Sequence, residues 1–256
     1  MVKLSLAIAT YNEEENIGPC LESVKGLVSE IIAVDGSSND KTVSILKSFG
    51  AIVEITVNPP NFHINKNKAI DKCKGDWILQ LDADEVVTPE LKREILKAVN
   101  LKPENQQSVD GYWIPRKNMF LGRFLTKGGQ YPDYTLRLYR RGKGRLPEKS
   151  VHEQAIVKGK TVYLKNPLFH YPYPDFKHYL KHFDLYTDFS AEELESDNLK
   201  INPLTFLDYI LLKPIVWFLK TFIRHKGFYD GFPGFVFSLF SSLRFPVSYY
   251  KYLQKK

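Results

Sequence analysis

Several common scaffolds are excluded by what the chain lacks. Of its 256 residues only two are cysteine, Cys20 and Cys73, and no C-x-x-C occurs. This excludes a disulfide framework and a cysteine-based zinc site, and leads us to expect a reducing compartment. After the first apolar run the sequence reads Thr10-Tyr11-Asn12, not G-x-G-x-x-G, so a dinucleotide-binding turn fits poorly. G-x-x-x-x-G-K-[ST] is absent too, which argues against a P-loop enzyme. The run Leu4–Ala9 is too short for the core of a secretion signal and leads directly into polar residues, so no export signal is expected. Long apolar stretches are also missing. Pro203–Ile223 is interrupted by Asp208, Lys213, Pro214 and Lys220, and Phe228–Val247 by Asp230, Pro233, Arg244 and Pro246. Neither offers the ~20 uninterrupted apolar residues of a spanning helix. There is no internal repeat and no low-complexity linker.

What is present suits a folded globular chain, 43% hydrophobic and 25% charged. Charge is distributed unevenly. Residues 1–199 hold 27 Lys and Arg against 27 Asp and Glu, whereas residues 200–256 hold nine basic residues and only Asp208 and Asp230. The whole net charge of +7 therefore belongs to the last 57 residues, and 15 of the 35 aromatics lie there as well. Basic residues beside Trp217, Phe218 and Phe222, interleaved with Leu, Ile and Val, suit amphipathic helices lying against an anionic membrane surface. They do not suit a polar groove for nucleic acid, and no nucleic-acid partner is expected. The alternative is that these helices pack on the protein body or on a second subunit.

Periodicity divides the first hundred residues into alternating strands and helices. Strands are predicted at Lys3–Ala9, Glu30–Val34, Ile52–Val57 and Trp77–Leu81. A helix is predicted to open at Asn12, with Glu13, Glu14 and Glu15 in its first turn and an apolar face of Ile17, Cys20, Leu21, Val24 and Leu27. Further helices are predicted after a cap at Asn39 or Asp40, carrying Val43 and Leu46, and at 65–74, and another after Thr88-Pro89, with Thr as cap and Pro at the first position. The pattern indicates an α/β fold with a Rossmann-like, mostly parallel sheet. Short strands at Tyr112–Pro115, Tyr134–Tyr139 and Thr161–Leu164 imply a mixed second half, followed by a helix from Phe176 and a C-terminal amphipathic helical appendage. The domains read as 1–199, with halves 1–100 and 101–199, and a tail of 200–256.

In parallel α/β sheets ligands bind beyond the carboxyl ends of the strands. Three polar strand ends should converge there: Thr10 to Glu13, Asp35 to Ser38, and Asp82 to Glu85. If Asp82-Ala83-Asp84 stays extended, its two carboxylates face one side and make a hard-oxygen site for Mg²⁺ or Mn²⁺. The bland alternative is a solvated acidic turn. Asp35 could accept hydrogen bonds from a ribose or a base, or could merely fix the turn after it. Arg137, within the basic run to Arg145, is the best placed to meet a diphosphate or an anionic acceptor. His178 and His182 read as a polar helix face, whereas His170 could approach a metal.

These residues carry a resemblance. The blocks Leu6–Glu14, Val34–Thr42, Lys66-Asn67 before Gly75-Asp76, and Leu81–Glu85 resemble, in order and spacing, the family 2 glycosyltransferases. The later segments Gly128–Asp133, Arg137–Arg141, Val151-His152-Glu153 and Gly227–Gly231 are similar to a subgroup, the bacterial lipopolysaccharide-core glucosyltransferases of the heptose-modifying type. The resemblance implies a GT-A fold and inverting transfer from a nucleotide-sugar, such as UDP-glucose, to a lipid-linked or lipopolysaccharide-core glycan on the cytoplasmic face of the membrane. It implies Thr10, Tyr11, Glu13, Asp35, Ser37 and Lys66 as nucleotide-sugar ligands, Asp82 as a ligand of both nucleotide and metal, and Asp84 as a metal ligand. Where this chain has Lys66 the family often has Arg, which would add a planar fork. An inverting transfer needs one general base. Glu153 is the first candidate and Asp133 the second, and Asp133 and Arg137 otherwise hold the acceptor. The rival readings are a sugar nucleotidyltransferase, which would want a basic Gly-rich loop after the first strand, and a membrane-bound sugar-binding protein without catalysis.

Overall fold

The computed structural model describes residues 2–100, 109–148 and 154–256. It contains two compact units, Met1–Arg116 with Asp133–His170, and Lys117–Pro132 with Tyr171–Lys256.

The first unit is built on four parallel strands, β1 (Leu4–Thr10), β2 (Glu30–Asp35), β3 (Ile52–Ile55) and β4 (Trp77–Leu81), in the order β3-β2-β1-β4. Both faces of this sheet are covered, so its strands are nearly continuous apolar runs. Leu6, Ile8, Leu79 and Leu81 face one core with α1 (Ile17–Ser23), α2 (Thr42–Ser48) and, further along the chain, α4 (Pro89–Val99). Ala7, Ile32, Val34 and Ile78 face a second core closed by Ala69 and Ile70 of α3 (His63–Lys72). Thr88 caps α4 as expected, its hydroxyl accepting the Leu91 N–H with Pro89 in the first turn.

The sheet then becomes mixed. The elements β5 (Glu85–Val87), β6 (Val109–Phe120), β7 (Arg123–Phe124), β8 (Asp133–Arg140), β9 (Gly144–Arg145), β10 (Ile156–Val157), β11 (Lys160–Tyr163) and β12 (Leu168–His170) follow. β8 runs antiparallel beside β4, and the order continues β8-β6-β12-β5. Between β6 and β8 the register steps from Tyr112↔Leu138 to Trp113↔Leu136. Arg137 is thus an extra residue in β8, a β-bulge. Bulges re-aim side chains and are common next to functional sites.

Two local expectations are corrected. The first helix starts at Ile17, not near Asn12. Asn12 takes a left-handed φ of 54°, and the N–H groups of Asn12, Glu13 and Glu14 donate to Ser38 Oγ, Thr42 Oγ1 and Asp40 Oδ2 at 2.8, 2.7 and 3.1 Å. With those donors committed outside a helix, Glu13–Asn16 closes only a turn. Nor is Asp82-Ala83-Asp84 extended. The Glu85 N–H donates to the Asp82 carbonyl at 3.1 Å, closing a turn that sends the two carboxylates to different partners.

In the second unit α5 (Phe176–Ser196) is followed by α6 (Pro203–Leu207) and α7 (Lys213–Phe218), each succeeded by a wide π turn, and then by a 3₁₀ turn (Gly227–Asp230) and α8 (Gly231–Gln254). Composition shifts at residue 200 but packing shifts at 171. Val236 of α8 shares a core with Phe120, Leu125 and Tyr179, and Tyr249 and Tyr252 share another with Ala191. Among the described residues no helix is long and apolar enough to cross a membrane.

Leu79 is wholly buried at the centre of β4, so Leu79→Ala should cost roughly 2–5 kcal/mol. A urea unfolding curve with an unchanged slope and a lowered midpoint would record it.

Candidate active site

Register places the strand ends level. Thr10 pairs with Asp35, and Ile8 with Leu81, the residue before Asp82. On this rim Asp35 is fully buried. Its Oδ2 accepts from Thr10 Oγ1 at 2.8 Å and Ser38 Oγ at 2.6 Å, and its Oδ1 accepts from the Ser38 N–H at 2.8 Å. Asn12 Oδ1 accepts the Asn39 N–H at 2.9 Å, tying the first turn to the second. Asp35 therefore fixes the turn that follows it. Ser37, at φ 67°, sends its hydroxyl to the Thr56 carbonyl at 2.8 Å, while Ser38 meets the rim. Tyr11 is exposed beside this turn.

The densest part of the site lies beyond β4. Arg137 is buried and reads three side chains: Nη1 donates to Gln80 Oε1 at 2.7 Å, and Nη2 to Asp82 Oδ2 at 2.5 Å and Glu85 Oε1 at 2.7 Å. Lys66, from α3, pairs with the other Asp82 oxygen. Arg116 of β6 donates through Nε and Nη2 to Asp133 Oδ2 at 2.9 and 2.8 Å, and Nη1 lies 3.4 Å from Glu85 Oε1. Glu85 also accepts the Asp82 N–H, so it is the buried hub between the two arginines and the metal-motif turn. Of the residues singled out from sequence, Lys66, Asp82, Arg137 and Asp133 thus belong to one connected network. Glu85, which the sequence placed only as part of the Asp82–Glu85 strand end, and Arg116, which nothing in its local sequence marked, complete it.

Asp84 takes a different partner, its Oδ2 standing 3.2 Å from His170 Nε2. Antiparallel pairing of β12 with β5 brings His170 opposite Glu85 and so next to Asp84. Glu153 lies outside the described residues, but both of its flanks are held. Pro147 and Glu148 accept through their carbonyls from His63 and Asn61 of the α3 region. Gln154 Oε1 accepts from Thr135 Oγ1 at 3.0 Å, on β8 between Asp133 and Arg137.

The electrostatics follow from this crowding. Burial alone would raise the Asp82 carboxyl, but Arg137 and Lys66 outweigh it and hold the group far below the carboxylate range. Burial would likewise weaken Arg137 as a base, and Asp82 and Glu85 reverse that, holding its proton more firmly. Burial lifts Glu13 above its ordinary value, the hydrogen bond with Asn16 opposes this, and Asp84, Asp82 and Asp40 push it higher. The Cys20 thiol, first by burial and then by Glu85, Asp84, Asp82 and Glu13, is pushed well above its range.

A divalent cation fits this donor set. Asp82 already has a positive partner on each oxygen, whereas Asp84 and His170 present a carboxylate oxygen and an imidazole nitrogen together at the rim, in a field that destabilises the Glu13 carboxylate. Among the described residues no group of three or more His, Cys, Asp or Glu is disposed to hold a metal. Two protein donors completed by substrate phosphates is a common arrangement for Mg²⁺ and Mn²⁺.

Residues 5–158 match the profile of glycosyl transferase family 2. The chain belongs to this family. This family 2 glycosyltransferase is 31% identical over 256 residues to an uncharacterised glycosyltransferase of Rickettsia bellii, covering 95% of this chain and 84% of the relative. It is 27% identical over 240 residues to the lipopolysaccharide core biosynthesis glycosyltransferase LpsC of Rhizobium meliloti, covering 91% and 85%. Among solved structures it is similar to the mannosyltransferase PcManGT of Pyrobaculum calidifontis in complex with GDP-Man and Mn²⁺, with a TM-score of 0.57 at 11% identity, covering 100% of this chain and 88% of that one. It is also similar to S. aureus TarS 1-349 in complex with UDP-GlcNAc, with a TM-score of 0.52 at 18% identity, covering 94% and 81%. The fold of the glycosyltransferase is GT-A.

Removing Arg137 strands a buried Glu85 carboxylate. Arg137→Met should cost about 3–5 kcal/mol, and Glu85→Gln in that background should recover part of it. The pH dependence has a definite sign. Asp82 has a folded-state value below its unfolded value of about 3.9. Its stabilisation is therefore complete above about pH 5 and drains away as pH falls below about 4. Chemical denaturation from pH 7 down to pH 3 should show that loss in the wild type and a shallower one in Arg137→Met.

Proposed function

We propose that this family 2 glycosyltransferase is an inverting hexosyltransferase that uses a nucleotide-sugar, of the UDP-glucose class, and a divalent metal to extend a lipid-linked or lipopolysaccharide-core glycan at the inner surface of a membrane. The observation that carries this reading is the rim itself. Asp82 is clamped between Lys66 and Arg137, beside an Asp84–His170 pair that faces the same strand ends. The similarity to LpsC supports the choice of acceptor.

In this reading the turns after β1 and β2 hold the nucleoside. Tyr11 offers an exposed ring for stacking, and Thr10, Glu13, Asp35 and Ser37 belong to the turns that shape its seat. Asp35 acts there through the geometry it imposes on Ser38 and Thr10. Asp84 and His170 would hold Mg²⁺ or Mn²⁺, with Asp82 behind them as a carboxylate kept ionised by its two cations. When bound, the metal supplies positive charge to the departing diphosphate. Lys66, paired with Asp82, is the basic group we assign to that charge. A single displacement at the anomeric carbon needs a carboxylate to take the acceptor hydroxyl proton as oxygen attacks. Glu153 takes this role on the resemblance of the Val151-His152-Glu153 segment alone, since it lies outside the described residues. Asp133, oriented by two hydrogen bonds from Arg116, positions the acceptor, and Arg137, buried on Gln80, Asp82 and Glu85, acts through the acids it holds.

Asp84→Ala and His170→Ala should each lower kcat on the order of 10²–10³ with the fold intact. Isothermal calorimetry should show UDP binding tightened by Mn²⁺ in the wild type and no longer so in either variant. UDP affinity that ignores Mn²⁺ in the wild type would remove the metal from the scheme.

Glu153→Gln keeps size and hydrogen bonding but not basicity, and should slow transfer on the order of 10²–10⁴ with donor binding nearly unchanged. If it turns over normally and Asp133→Asn does not, the base is Asp133.

A further inference from the structure

The second unit carries a surface that water does not favour. From Ile201 to Phe235 large apolar side chains stand in solvent, among them Leu204, Val216, Leu219, Tyr229 and Phe232, the last 71% exposed. So many large apolar side chains exposed along one stretch of chain mark an interaction surface. Cations lie along it. Lys213 sits 3.4 Å above the Tyr209 ring, and Lys220 and Arg244 each 4.7 Å from Trp217. Of the two acids in that stretch Asp230 is buried, and Asp208 is spent on Lys213 at 3.0 Å. Apolar side chains with aromatic rings and cations at their border match the chemistry of an anionic bilayer surface. A self-complementary contact between two copies would instead set these cations against one another.

The segment ends in an elbow with two faces. Lys226 takes a left-handed φ of 59°, and the 3₁₀ turn Gly227–Asp230 follows. Phe228 and Tyr229 point to solvent. Asp230, 1% exposed, points the other way and accepts from the Thr126 N–H at 3.0 Å, Thr126 Oγ1 at 2.8 Å and the Lys127 N–H at 2.8 Å. Alongside, the Gly128 N–H donates to the His225 carbonyl at 2.9 Å, and Arg123 Nη2 to the Tyr229 carbonyl at 3.1 Å. The fit is close: a Cβ on Gly129 would lie 3.1 Å from His225 Nδ1. The loop so held, Thr126–Gln130, runs through Tyr131 and Pro132 into Asp133.

We propose that the elbow is the element that seats in the headgroup region of an anionic bilayer, and that Asp230 is a positioning residue that ties the Thr126–Gln130 loop to it, so that docking on lipid further restrains the segment leading to Asp133. The inference rests on the reading that the acceptor is membrane-borne. Its test needs no acceptor and no turnover, so the two fail separately.

The full chain is mixed with vesicles of equimolar phosphatidylglycerol and phosphatidylcholine, or of phosphatidylcholine alone, at low and high salt. Binding should favour the anionic vesicles and weaken, without vanishing, at high salt, because charge attraction is screened over roughly 8 Å and apolar burial is not. The double variant Phe228→Ser/Phe232→Ser, altered only at exposed rings, should bind roughly tenfold or more weakly. Amide hydrogen exchange at Thr126, Lys127 and Gly128 should slow when vesicles are added to the wild type. Asp230→Asn should bind vesicles with wild-type affinity yet lose that vesicle-induced protection. Thr126→Val, which deletes one hydroxyl, should weaken it in the same direction. Absence of vesicle binding at both salt concentrations, with or without dimer formation, would overturn the proposal. So would undiminished protection in an Asp230→Asn protein that folds and binds.

Discussion

The guanidinium of Arg137 is the point on which the site turns. A buried cation costs several kcal/mol in desolvation unless its donors are matched. Here Gln80, Asp82 and Glu85 match Nη1 and Nη2 from the end of one strand and the turn after it, and Nε is left without a partner among the described residues. Because Arg137 comes from β8, that match welds the parallel half of the sheet to the mixed half at the position where substrates would meet. Arg116 repeats the arrangement one layer out, reaching both Glu85 and Asp133. The two arginines share an acid, so acids that would repel one another are held close.

The parallel core was legible in the sequence because its physics is local. Strands buried on both faces are short apolar runs, and they end where polarity returns, at Thr10, Asp35 and Asp82. The cap at Thr88-Pro89 was equally plain. The start of the first helix was not. Glu13–Glu15 suit a helix dipole, but the N–H groups of Asn12, Glu13 and Glu14 found acceptors on Ser38, Thr42 and Asp40, and a tertiary contact overrode local preference.

The site itself was half legible. The acids at the strand ends were found because their placement follows from the fold class. Their pairing with Lys66, Arg137 and His170 was not, because each contact is chosen by topology. Arg137 reaches Asp82 from a bulge that no periodicity reveals, and Arg116 reads as an ordinary basic residue in a strand. His170 meets Asp84 only because β12 returns beside β5, a pairing between two three-residue strands too short to leave a pattern. In the tail, composition shifts at residue 200, whereas packing begins at 171, since the helix from Phe176 lacks the basic excess of the tail while sharing its core with α8.

The two thiols have a practical corollary. Cys20 is buried beneath the acids of the rim, and Cys73 is buried at the end of α3 with its ionisation pushed up to about 12. Neither forms an appreciable thiolate near neutrality, so neither competes for alkylating reagents. The folded molecule is in effect cysteine-silent. A single cysteine placed on an exposed apolar position could carry a fluorophore or spin label with no other change to the chain, and the native thiols would serve as internal reporters that react only when the core opens.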